Sequence, residues 1–495
     1  MSAKTQNERI IFGLKVKHLR QEHHLSFADL ARETGMSISY LNEIEKGKKF
    51  PKNDKVESLA KVLGVTYEGL ISLELDKSLQ PVSELLQSNF LNELPLDLFG
   101  IELAKVVDII ANAPVRVGAF ISTLLELSRN YALREENFYF GALRSYLELH
   151  HNYFADIEAA VQRFTEQYDI PIQRPISEKK LKMLLEDRFD YEIVENGIDQ
   201  YPELANLRSI YLPEKKQLLL NGSLTPMQKA FQFGKELGFS FMGLKERAKT
   251  SSILRSQVFE EVLNHSKAIY FSVALHLPLD PFLADMRQFF QKKKWDGEAF
   301  LSIMQNYEAT PEMFFHRLTN VLPQFFGLSK IFFLRFIHNP SNNAFDIDKE
   351  LHLSRRHQPH GNGLFEHYCR RWVSLSLLKD LHNMQQEGTF MNTIVRAQHS
   401  QYIGTDDEYL CLTIARPAYP EPNRNVSVTI GLLINDELRN KVHFLGDPSI
   451  QVRQVNKTCE RCTVLDCEVR AAEPTVIQKR DKLHAIQNRL KELSK

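Results

Sequence analysis

Three of the chain's five cysteines, Cys459, Cys462 and Cys467, lie within nine residues near its C-terminal end. A Cys-x2-Cys pair brings two thiolates to one ion, and a third nearby cysteine can complete one face of a tetrahedral zinc site or of an iron–sulfur cluster. A fourth ligand then has to come from elsewhere, so the fold must bring a distant segment to this loop. Three reduced cysteines in a surface loop are the alternative interpretation.

Length and charge limit the rest of the chain. At 495 residues it is too long for a single hydrophobic core, and at about 100–200 residues per domain it should divide into three or four units. Basic and acidic residues balance at 62 each, so any nucleic-acid site has to be local. The polar start lacks a signal-peptide core and no run approaches the roughly 18–20 apolar residues that cross a bilayer. We expect a cytoplasmic protein that makes no membrane contact.

Residues 9–73 predict five short helices. Ser26 can cap the second helix, which ends at Gly35, and Ser37 can cap a third helix over 38–46. Two helices joined by so short a turn form a helix-turn-helix, a unit that places its second helix in a major groove of DNA.

Helical spacing predicts how the third helix is oriented. Its apolar side chains, Ile38, Leu41 and Ile44, are expected to face inward. The side chains expected to reach base edges or phosphates are Ser37, Ser39, Tyr40, Asn42, Glu43, Lys46, Lys48 and Lys49.

The segment from Gly35 to Pro51 resembles the recognition segment of Xre-type repressors, whose pattern S-x-x-x-L-S/N-x-I-E-x-G-x-x-x-P it follows almost throughout. The resemblance implies that this helix reads a double-stranded DNA operator. Residues 1–72 carry 12 basic and 9 acidic side chains, so their positive charge is a patch. Because one such unit reads few base pairs and two-fold operators match two-fold proteins, we expect a homodimer. A small helical protein-interaction domain is the alternative.

Two segments within residues 207–239 resemble ImmA/IrrE-like domains. In that family a helix carries His-Glu-x-x-His, whose histidines bind zinc while the glutamate activates a water. Here Lys235 and Phe239 stand at the histidine positions, although Glu236 remains and His265 stands where a carboxylate ligand often lies. An ammonium group repels a cation and a phenyl ring offers no lone pair. We therefore predict that the zincin-like fold is kept and its peptidase chemistry lost.

Alternating strand-like segments after Met313 predict an α+β sensor domain. These segments are Ile331–Ile337, Phe345–Leu353, Tyr409–Ala415 and Val426–Leu433. Cys411 lies in one of them and is expected to be a buried structural thiol. The tail, 476–495, has apolar residues at helical spacing among basic groups, which predicts an amphipathic helix that docks on a partner subunit.

Several blocks, in the order in which they occur, resemble the short-chain fatty acyl regulators, which include the propionate and glyoxylate-pathway regulators of actinobacteria. The blocks lie at 361–372, 404–406, 414–416 and 459–474. Around the position of Cys369 the family has the pattern G-G-x-C-P-x-W, and this chain differs from that pattern both before and after the cysteine. The resemblance implies an acyl-CoA effector and a 4Fe-4S cluster, whose ligands would be Cys369, Cys459, Cys462 and Cys467.

Cysteine number and spacing alone favour zinc, because closed sites of four cysteines are mostly structural zinc. The resemblance favours the iron–sulfur cluster, and His367 is a conceivable substitute ligand. Arg355, Arg356 and Arg416 are candidates to bind the phosphates of the effector, since guanidinium groups pair bidentately with phosphoryl oxygens. Ordinary surface arginines are the alternative.

The sequence thus predicts a multidomain, mainly α fold with α+β parts. The expected domains are a five-helix helix-turn-helix over 1–75, a helical linker and dimerisation domain over 76–175, a degenerate ImmA/IrrE-like (zincin-like) domain over 176–320, a ligand- and cluster-binding α+β sensor over 321–475 and a basic helical tail over 476–495.

The predicted function is sequence-specific transcription regulation, without enzymatic activity, controlled by an acyl-CoA-like metabolite, an iron–sulfur cluster or both. Two other functions compete with it. One is a stress-responsive metallopeptidase that cleaves a repressor, which needs zinc ligands that Lys235 and Phe239 do not supply. The other is a redox- or zinc-dependent regulator that binds no small molecule.

Overall fold

The computed structural model describes residues 6–72, 135–170, 175–251, 258–353, 366–389, 392–419, 421 and 423–493. The chain forms two compact units, residues 1–146 with 257–259, and residues 147–256 with 260–495. Most of the predicted linker domain, 76–175, lies outside the described residues. No helix within the described ranges is both long and apolar enough to span a membrane.

The N-terminal unit contains the five helices that the sequence predicts. They are α1 (Gln6–Glu22), α2 (Phe27–Thr34), α3 (Ile38–Glu45), α4 (Asn53–Val62) and α5 (Tyr67–Ile71). Their shared core includes Val16, Leu41 and Leu59, each with no exposed surface. A Cβ on Gly13 would lie 2.3 Å from the carbonyl oxygen of Ile44, so only glycine allows α1 to approach α3 this closely.

The second unit begins with helices packed around a small sheet. Following α6 (Glu135–Leu149), which crosses the boundary between the units, its helices are α7 (Ala155–Gln167), α8 (Glu178–Phe189), α9 (Pro226–Phe241) and α10 (Phe259–His276). The strands are β1 (Glu192–Val194), β2 (Ser209–Leu212) and β3 (Gln217–Leu220), with β3 in the middle, parallel to β1 and antiparallel to β2. Thr225 caps α9 by accepting a hydrogen bond from the backbone amide of Gln228.

A six-stranded sheet with helices on both faces forms the remainder of this unit. The helices of this part are α11 (Leu279–Phe290), α12 (Gly297–Asn306), α13 (Pro311–Phe326), α14 (Val373–Gln386) and the short α15 (Asp436–Lys441). Helix α16 (Thr475–Leu493) follows the sheet and has no buried residue. The strands are β4 (Ile331–Asn339), β5 (Ala344–His352), β6 (Ile394–Tyr402), β7 (Glu408–Pro417), β8 (Asn425–Leu433) and β9 (Gln451–Val455), in the order β5-β4-β8-β7-β6-β9. Only the β6–β9 pair of this sheet is parallel.

Alternation along β4 divides the side chains between two cores. Phe333 belongs to the core shared with α11, α12 and α13, whereas Phe332, Leu334 and Phe336 belong to the core shared with α14. The expected multidomain fold, with its helical parts and its α+β part, is confirmed. The domain boundary expected near residue 320 nevertheless falls inside one continuous hydrophobic core, because the apolar faces of α11–α13 are buried against this sheet.

Candidate functional site

Helix α3 presents a polar surface whose start is fixed by its cap. The hydroxyl of Ser37 accepts a hydrogen bond from the amide of Tyr40, as expected, and Leu41 and Ile44 are fully buried. The side chains of Ser39 and Lys46 are exposed and that of Asn42 is partly so. The same surface continues into the exposed lysines at 48 and 49.

Two of the expected DNA contacts are held by neighbouring lysines. The Lys49 ammonium lies 2.7 Å from the Glu43 carboxylate, and Lys55 lies 4.6 Å from the centre of the Tyr40 ring. Lys49 also lies 5.9 Å from that ring. These contacts orient Tyr40 and Glu43 and spread positive charge along the edge of the helix.

The expectation that Ile38 faces inward is wrong, since 52% of its surface is exposed. It is the first residue of α3, and at that position its side chain lies beyond the core that Leu41 and Ile44 fill. Ile38 is therefore an exposed apolar residue at the N-terminal end of α3.

The four cysteines that the sequence groups together line one hollow of about 310 Å³, a volume that includes the solvent at its mouth. Cys369, Cys459 and Cys462 are buried and Cys467 is partly exposed. Burial raises the pKa of the Cys369 thiol. Cys411 is also buried, but within β7 and away from this hollow, as predicted for a structural thiol.

Hydrogen bonds and ion pairs join the two distant segments that supply the thiols. The amide of Cys369 donates to the carbonyl of Lys457, and the amide of Cys459 donates to that of His367. Glu366 binds the Arg461 guanidinium through both oxygens, at 2.7 and 2.8 Å.

His367, considered above as a substitute ligand, donates its backbone amide to Glu460 and lies with its Nδ1 2.8 Å from the same carboxylate. It is therefore engaged in closing the loop.

Arg470 holds the shape of the cysteine loop. Its guanidinium donates to four backbone carbonyls, those of Cys459, Cys462, Val464 and Ala472. Backbone amides also point at two of the sulfur atoms, from Ala471 to Cys459 at 3.3 Å and from Asn456 to Cys369 at 3.5 Å. For Cys369 the Asn456 amide lowers the pKa of the thiol, but the larger effect of burial raises it.

The donor set fits a thiolate-bound metal centre in kind and in number, with four cysteines around one hollow. The sulfur atoms, however, are not close enough to one common point to coordinate a single ion. No three His, Cys, Asp or Glu side chains are arranged to hold an ion anywhere in the part of the chain that the structure describes. Binding a metal here therefore requires the thiols to turn toward a common point.

In the zincin-like helix α9, the glutamate of the degenerate motif is paired with an arginine from outside the helix. Glu236 is buried, and Arg247 Nη2 lies 2.5 Å from its Oε2. The Arg247 guanidinium also lies 3.9 Å from the centre of the Phe239 ring and 4.0 Å from that of Tyr211. A guanidinium thus contacts both the glutamate and the ring that replaces a histidine ligand. Contrary to the usual behaviour of a lone helical glutamate, Glu236 is not solvated.

The other positions of the degenerate motif are buried as well. Lys235 is 3% exposed, and its pKa is lowered to about 8, mainly by burial. The nearby Glu236 carboxylate raises this pKa, whereas the cations Arg247, Arg208 and Lys349 lower it. His265 lies beside Phe239, at 6.3 Å between ring centres, and its Nδ1 is buried without a hydrogen-bond partner. Burial holds the pKa of His265 well below its usual range.

Further cations surround Lys235 and were not singled out by sequence reasoning. Burial lowers the pKa of Arg208. The Glu312 carboxylate raises this pKa, and the positive charges of Arg335 and Arg416 lower it further. No ion pair joins Arg208 to a residue that the structure describes. Nothing in the sequence indicates that these cations lie together, because they are scattered along the chain; Arg208 and Arg335, for example, are 127 positions apart.

Lys349 on β5 belongs to the same cluster. Solvent reaches its side chain, yet the surrounding protein lowers its pKa to about 8 by desolvation, and Arg335 lowers it further. We name the set of five the cation cluster; its members are Arg208, Lys235, Arg335, Lys349 and Arg416.

Three carboxylates lie among the five cations and do not balance them; one is Glu236, 4.0 Å from Lys235 and shared with Arg247. Glu312 pairs with Arg335 at 3.1 Å and with Arg416 at 3.2 Å, and Asp348 pairs with Arg335. Burial raises the pKa of Glu312, but Arg416, Arg335 and Arg208 outweigh it and hold that pKa well below its usual range. The cluster therefore keeps an excess of positive charge.

Of the three arginines expected to bind phosphate, Arg416 is thus partly buried within the cation cluster. Arg355 and Arg356 lie outside the described residues.

Comparisons with known proteins agree with the two N-terminal motifs. The family described as "Helix-turn-helix domain" matches residues 11–70, and that described as "IrrE N-terminal-like domain" matches residues 187–319. The chain is also similar to "Mycobacterium tuberculosis transcriptional regulator", a solved structure, with a TM-score of 0.46 and 19% identity over 67% of this chain and 93% of that one.

The control protein C.BamHI of Bacillus amyloliquefaciens is 34% identical over 68 residues, which are 14% of this chain and 84% of that protein. This chain thus covers most of the length of that small protein, and the helix-turn-helix match over residues 11–70 falls within helices α1–α5. The chain therefore belongs to the Xre-type helix-turn-helix family of DNA-binding transcriptional regulators.

Proposed function

We propose that this regulator binds its operator as a homodimer and responds to an acyl-CoA held by the cation cluster, with a metal centre in the cysteine hollow. The observation that carries the proposal is the excess of cations over carboxylates around Arg208 and Lys235, beside the exposed Lys349. Burying more cations than carboxylates is costly, so such a cluster is retained where an anion compensates it.

Operator reading is assigned to the exposed surface of α3. Ser39 and Asn42 supply hydrogen-bonding groups, Ile38 an apolar contact, and the lysines at 46, 48 and 49 contacts to phosphate. Tyr40 and Glu43 act from positions fixed by Lys55 and Lys49.

The double variant Tyr40→Ala/Asn42→Ala tests this assignment. Each lost base contact costs about 1–3 kcal/mol, so operator binding should fall to the level of random DNA. Gel shifts with random competitor measure the ratio, and Arg32→Ala, an exposed residue of α2 paired with Asp29, serves as control. Unchanged selectivity in the double variant would place the reading surface elsewhere.

The effector assignment follows from the chemistry of the cluster. Coenzyme A carries phosphate groups, which arginine binds bidentately and lysine as a point charge. Arg208 has a guanidinium without an ion pair among the described residues, and Lys235 and Lys349 sit beside it. Lys349 is exposed on β5, so a ligand can reach this edge of the cluster from solvent.

Calorimetric titration of the full chain with propionyl-CoA tests this proposal. Wild-type protein and Lys292→Met, which removes a surface lysine paired with Asp296, should bind alike. Lys349→Met should weaken binding by about tenfold or more, the effect of losing one charge-assisted contact of about 1.5–3 kcal/mol. Equal affinities in all three proteins, or no binding by the wild type, would remove the acyl-CoA assignment.

The metal assignment rests on the four-cysteine donor set and on the resemblance of its motifs. A 4Fe-4S cluster held by Cys369, Cys459, Cys462 and Cys467 would supply redox sensitivity, and zinc would supply a structural clamp. Glu366, Arg461 and Arg470 hold the loop for either centre. Cys369 lies about ninety residues before Cys459, so its ligation would close a long loop and stabilise the C-terminal segment.

Iron, zinc and sulfide analysis of anaerobically purified protein tests this site. Cys369→Ser should lower the metal content and Cys411→Ser, the matched buried control, should retain it. One zinc without iron would keep the site and change the cofactor. Full iron and sulfide in Cys369→Ser would rule out the four-cysteine set, and operator binding that responds to oxygen but not to acyl-CoA would favour the purely redox regulator.

Peptidase activity is the rival function that the IrrE N-terminal-like match raises. Arg247 occupies the surroundings of Glu236, and Lys235 and Phe239 cannot coordinate zinc. We therefore assign this domain a scaffold and ligand-binding role. Zinc-dependent, chelator-sensitive cleavage of a peptide library by the purified chain would reverse the assignment.

A further inference from the structure

Helix α16 carries a row of exposed apolar side chains. Leu483, Ile486, Leu490 and Leu493 are 59%, 48%, 61% and 77% exposed. Buried residues are absent from this helix, although it is 19 residues long. Its start is fixed to the rest of the unit, since the amide of Val476 donates to the carbonyl of Glu460 in the cysteine loop.

The spacing of this row indicates what covers it. The residues recur at intervals of three, four and three, which are the a and d positions of a heptad; Val476 occupies an earlier a position, and Lys479 stands at the d position between Val476 and Leu483. A helix that docks on a globular surface has a wider apolar face, whereas a strict a and d row is the narrow seam of a two-stranded coiled coil. The covering element is therefore another helix.

The charges beside the seam select a second copy of the same helix. In a parallel pair the g and e′ positions face each other, and here they join Thr475 to Arg480, Lys482 to Gln487 and Arg489 to Ser494. None of these pairs sets two like charges opposite each other. An antiparallel pair brings g positions together, which would place Lys482 against Arg489.

Ion pairs within the helix reduce the remaining repulsion. Arg480 lies 3.2 Å from Asp481, and Arg489 lies 2.6 Å from Glu492. The two arginines nearest the seam are thus neutralised by their own helix. The helix nevertheless carries five basic and two acidic side chains, a net charge of +3, which a second copy repels weakly at low salt.

We propose that α16 pairs in parallel with α16 of a second copy of this chain, with Leu483, Ile486, Leu490 and Leu493 in the seam. This pairing deepens the proposed homodimer and rests on that part of the proposed function. Since the seam spans fewer than three heptads, it adds to other dimer contacts and sets the chains parallel about the two-fold axis. Each cysteine loop then lies at the base of the shared coil, through Glu460 and Val476.

Matched charge insertions test the seam in the full chain. Ile486→Lys puts an ammonium at a d position, and Asn488→Lys puts the same charge on the outer face two residues away. Sedimentation equilibrium should show the dimer dissociation constant raised about tenfold or more by Ile486→Lys and by less than about twofold by Asn488→Lys. Equal effects of the two variants would overturn the proposal.

Photo-crosslinking supplies a local readout that other dimer contacts cannot mask. A benzoylphenylalanine in place of Leu490 should crosslink to residues near Leu490 of a second copy, and Ile486→Lys should abolish the product. Crosslinks to the N-terminal half of the second α16 would indicate an antiparallel pair. Crosslinks to other surfaces, or no crosslinks, would indicate that something else covers the row. Each of these results would overturn the proposal. Raising the salt concentration should tighten the pairing of two basic helices, whereas weakening by salt would indicate an acidic partner and contradict self-pairing.

Different experiments test the α16 seam and the proposed regulator function, so one can be refuted while the other stands. Crosslinking and sedimentation are measured without DNA, so they test the seam even when no operator is bound. A protein that keeps its operator selectivity and its dimer while the Leu490 crosslink is missing retains the regulator function and loses only the α16 pairing.

Discussion

At the scale of single residues, Lys235 combines a stability cost with a proposed ligand contact. Its pKa is about 8 in the folded chain against 10.5 for an ordinary lysine, and each unit corresponds to about 1.36 kcal/mol. The unfolded chain therefore binds the proton more tightly. The cost of burial is present in full below pH 8 and is lost as the pH rises toward 10.5.

We expect Lys235→Met to raise the free energy of unfolding of the second unit by about 2–3 kcal/mol at pH 7, with the gain shrinking toward pH 10.5. Urea denaturation followed by tryptophan fluorescence measures it, because Trp295 and Trp372 are the chain's two tryptophans and both lie in this unit. Lys292→Met is the surface control. A gain that is independent of pH would show that the charge is not its cause. The same variant should lose affinity for acyl-CoA.

Arg247 is expected to be a structural cation. Arg247→Met removes the nearest cation from the buried Glu236 and leaves it the Tyr191 hydroxyl at 3.3 Å and the Lys235 ammonium at 4.0 Å. Breaking a buried ion pair costs about 3–5 kcal/mol. Adding Glu236→Gln should restore part of the loss, since the buried charge is removed. Denaturation of the four proteins of this double-mutant cycle gives the coupling. Lys249→Met, which breaks an exposed pair with Glu214, should cost less than about 1 kcal/mol.

At the scale of secondary-structure elements, the recognition helix is held by its inner face. Arg20 on α1 binds both oxygens of Glu45 on α3, at 2.6 and 3.0 Å, and both side chains are largely buried. The hydrogen bond and the charge of Glu45 raise the pKa of Arg20 despite its partial burial. This pair fixes the angle at which α3 presents its outer residues.

Glu45→Gln should therefore loosen α3 far more than Glu43→Gln, whose partner Lys49 lies on the surface. The expected loss is about 3 kcal/mol for the buried pair and below about 1 kcal/mol for the exposed one. Hydrogen exchange of the α1 and α3 amides in the full chain measures both. Similar protection in the two variants would contradict the assigned role of Arg20.

At the scale of the whole molecule, DNA binding depends on a local patch, since basic and acidic residues are equal in number at 62 each. Neutralising Lys48 and Lys49 together should lower the slope of log affinity against log salt by about 2, at roughly 0.9 per phosphate contact. Filter binding on operator and random DNA should show the same loss for both. Lys292→Gln/Lys330→Gln makes the same charge change elsewhere and should leave the slope unchanged; an equal change in slope would show that overall charge governs binding.

What the sequence determined by itself is local. Ser26, Gly35 and Ser37 set the ends of α2 and α3 through short-range caps, and the structure and the comparisons confirm the helix-turn-helix that they indicate. The spacing of Cys459, Cys462 and Cys467 marks their loop in the same way, and Cys369 indeed lines the same hollow. Strands β4, β5, β7 and β8 were predictable from their apolar runs.

Tertiary structure decided what depends on residues far apart. Strand β6 is rich in polar residues, and the short β9 shows mostly exposed side chains, so their pairing comes from the sheet and not from their own pattern. Ile38 faces outward because other residues fill the core of its unit. The cation cluster joins the residue before β2 to α9, β4, β5 and β7, and Arg247 meets Glu236 from a separate loop. Single basic residues carry no sequence signal of such encounters, because burial and Coulomb interactions are set only when the chain has folded.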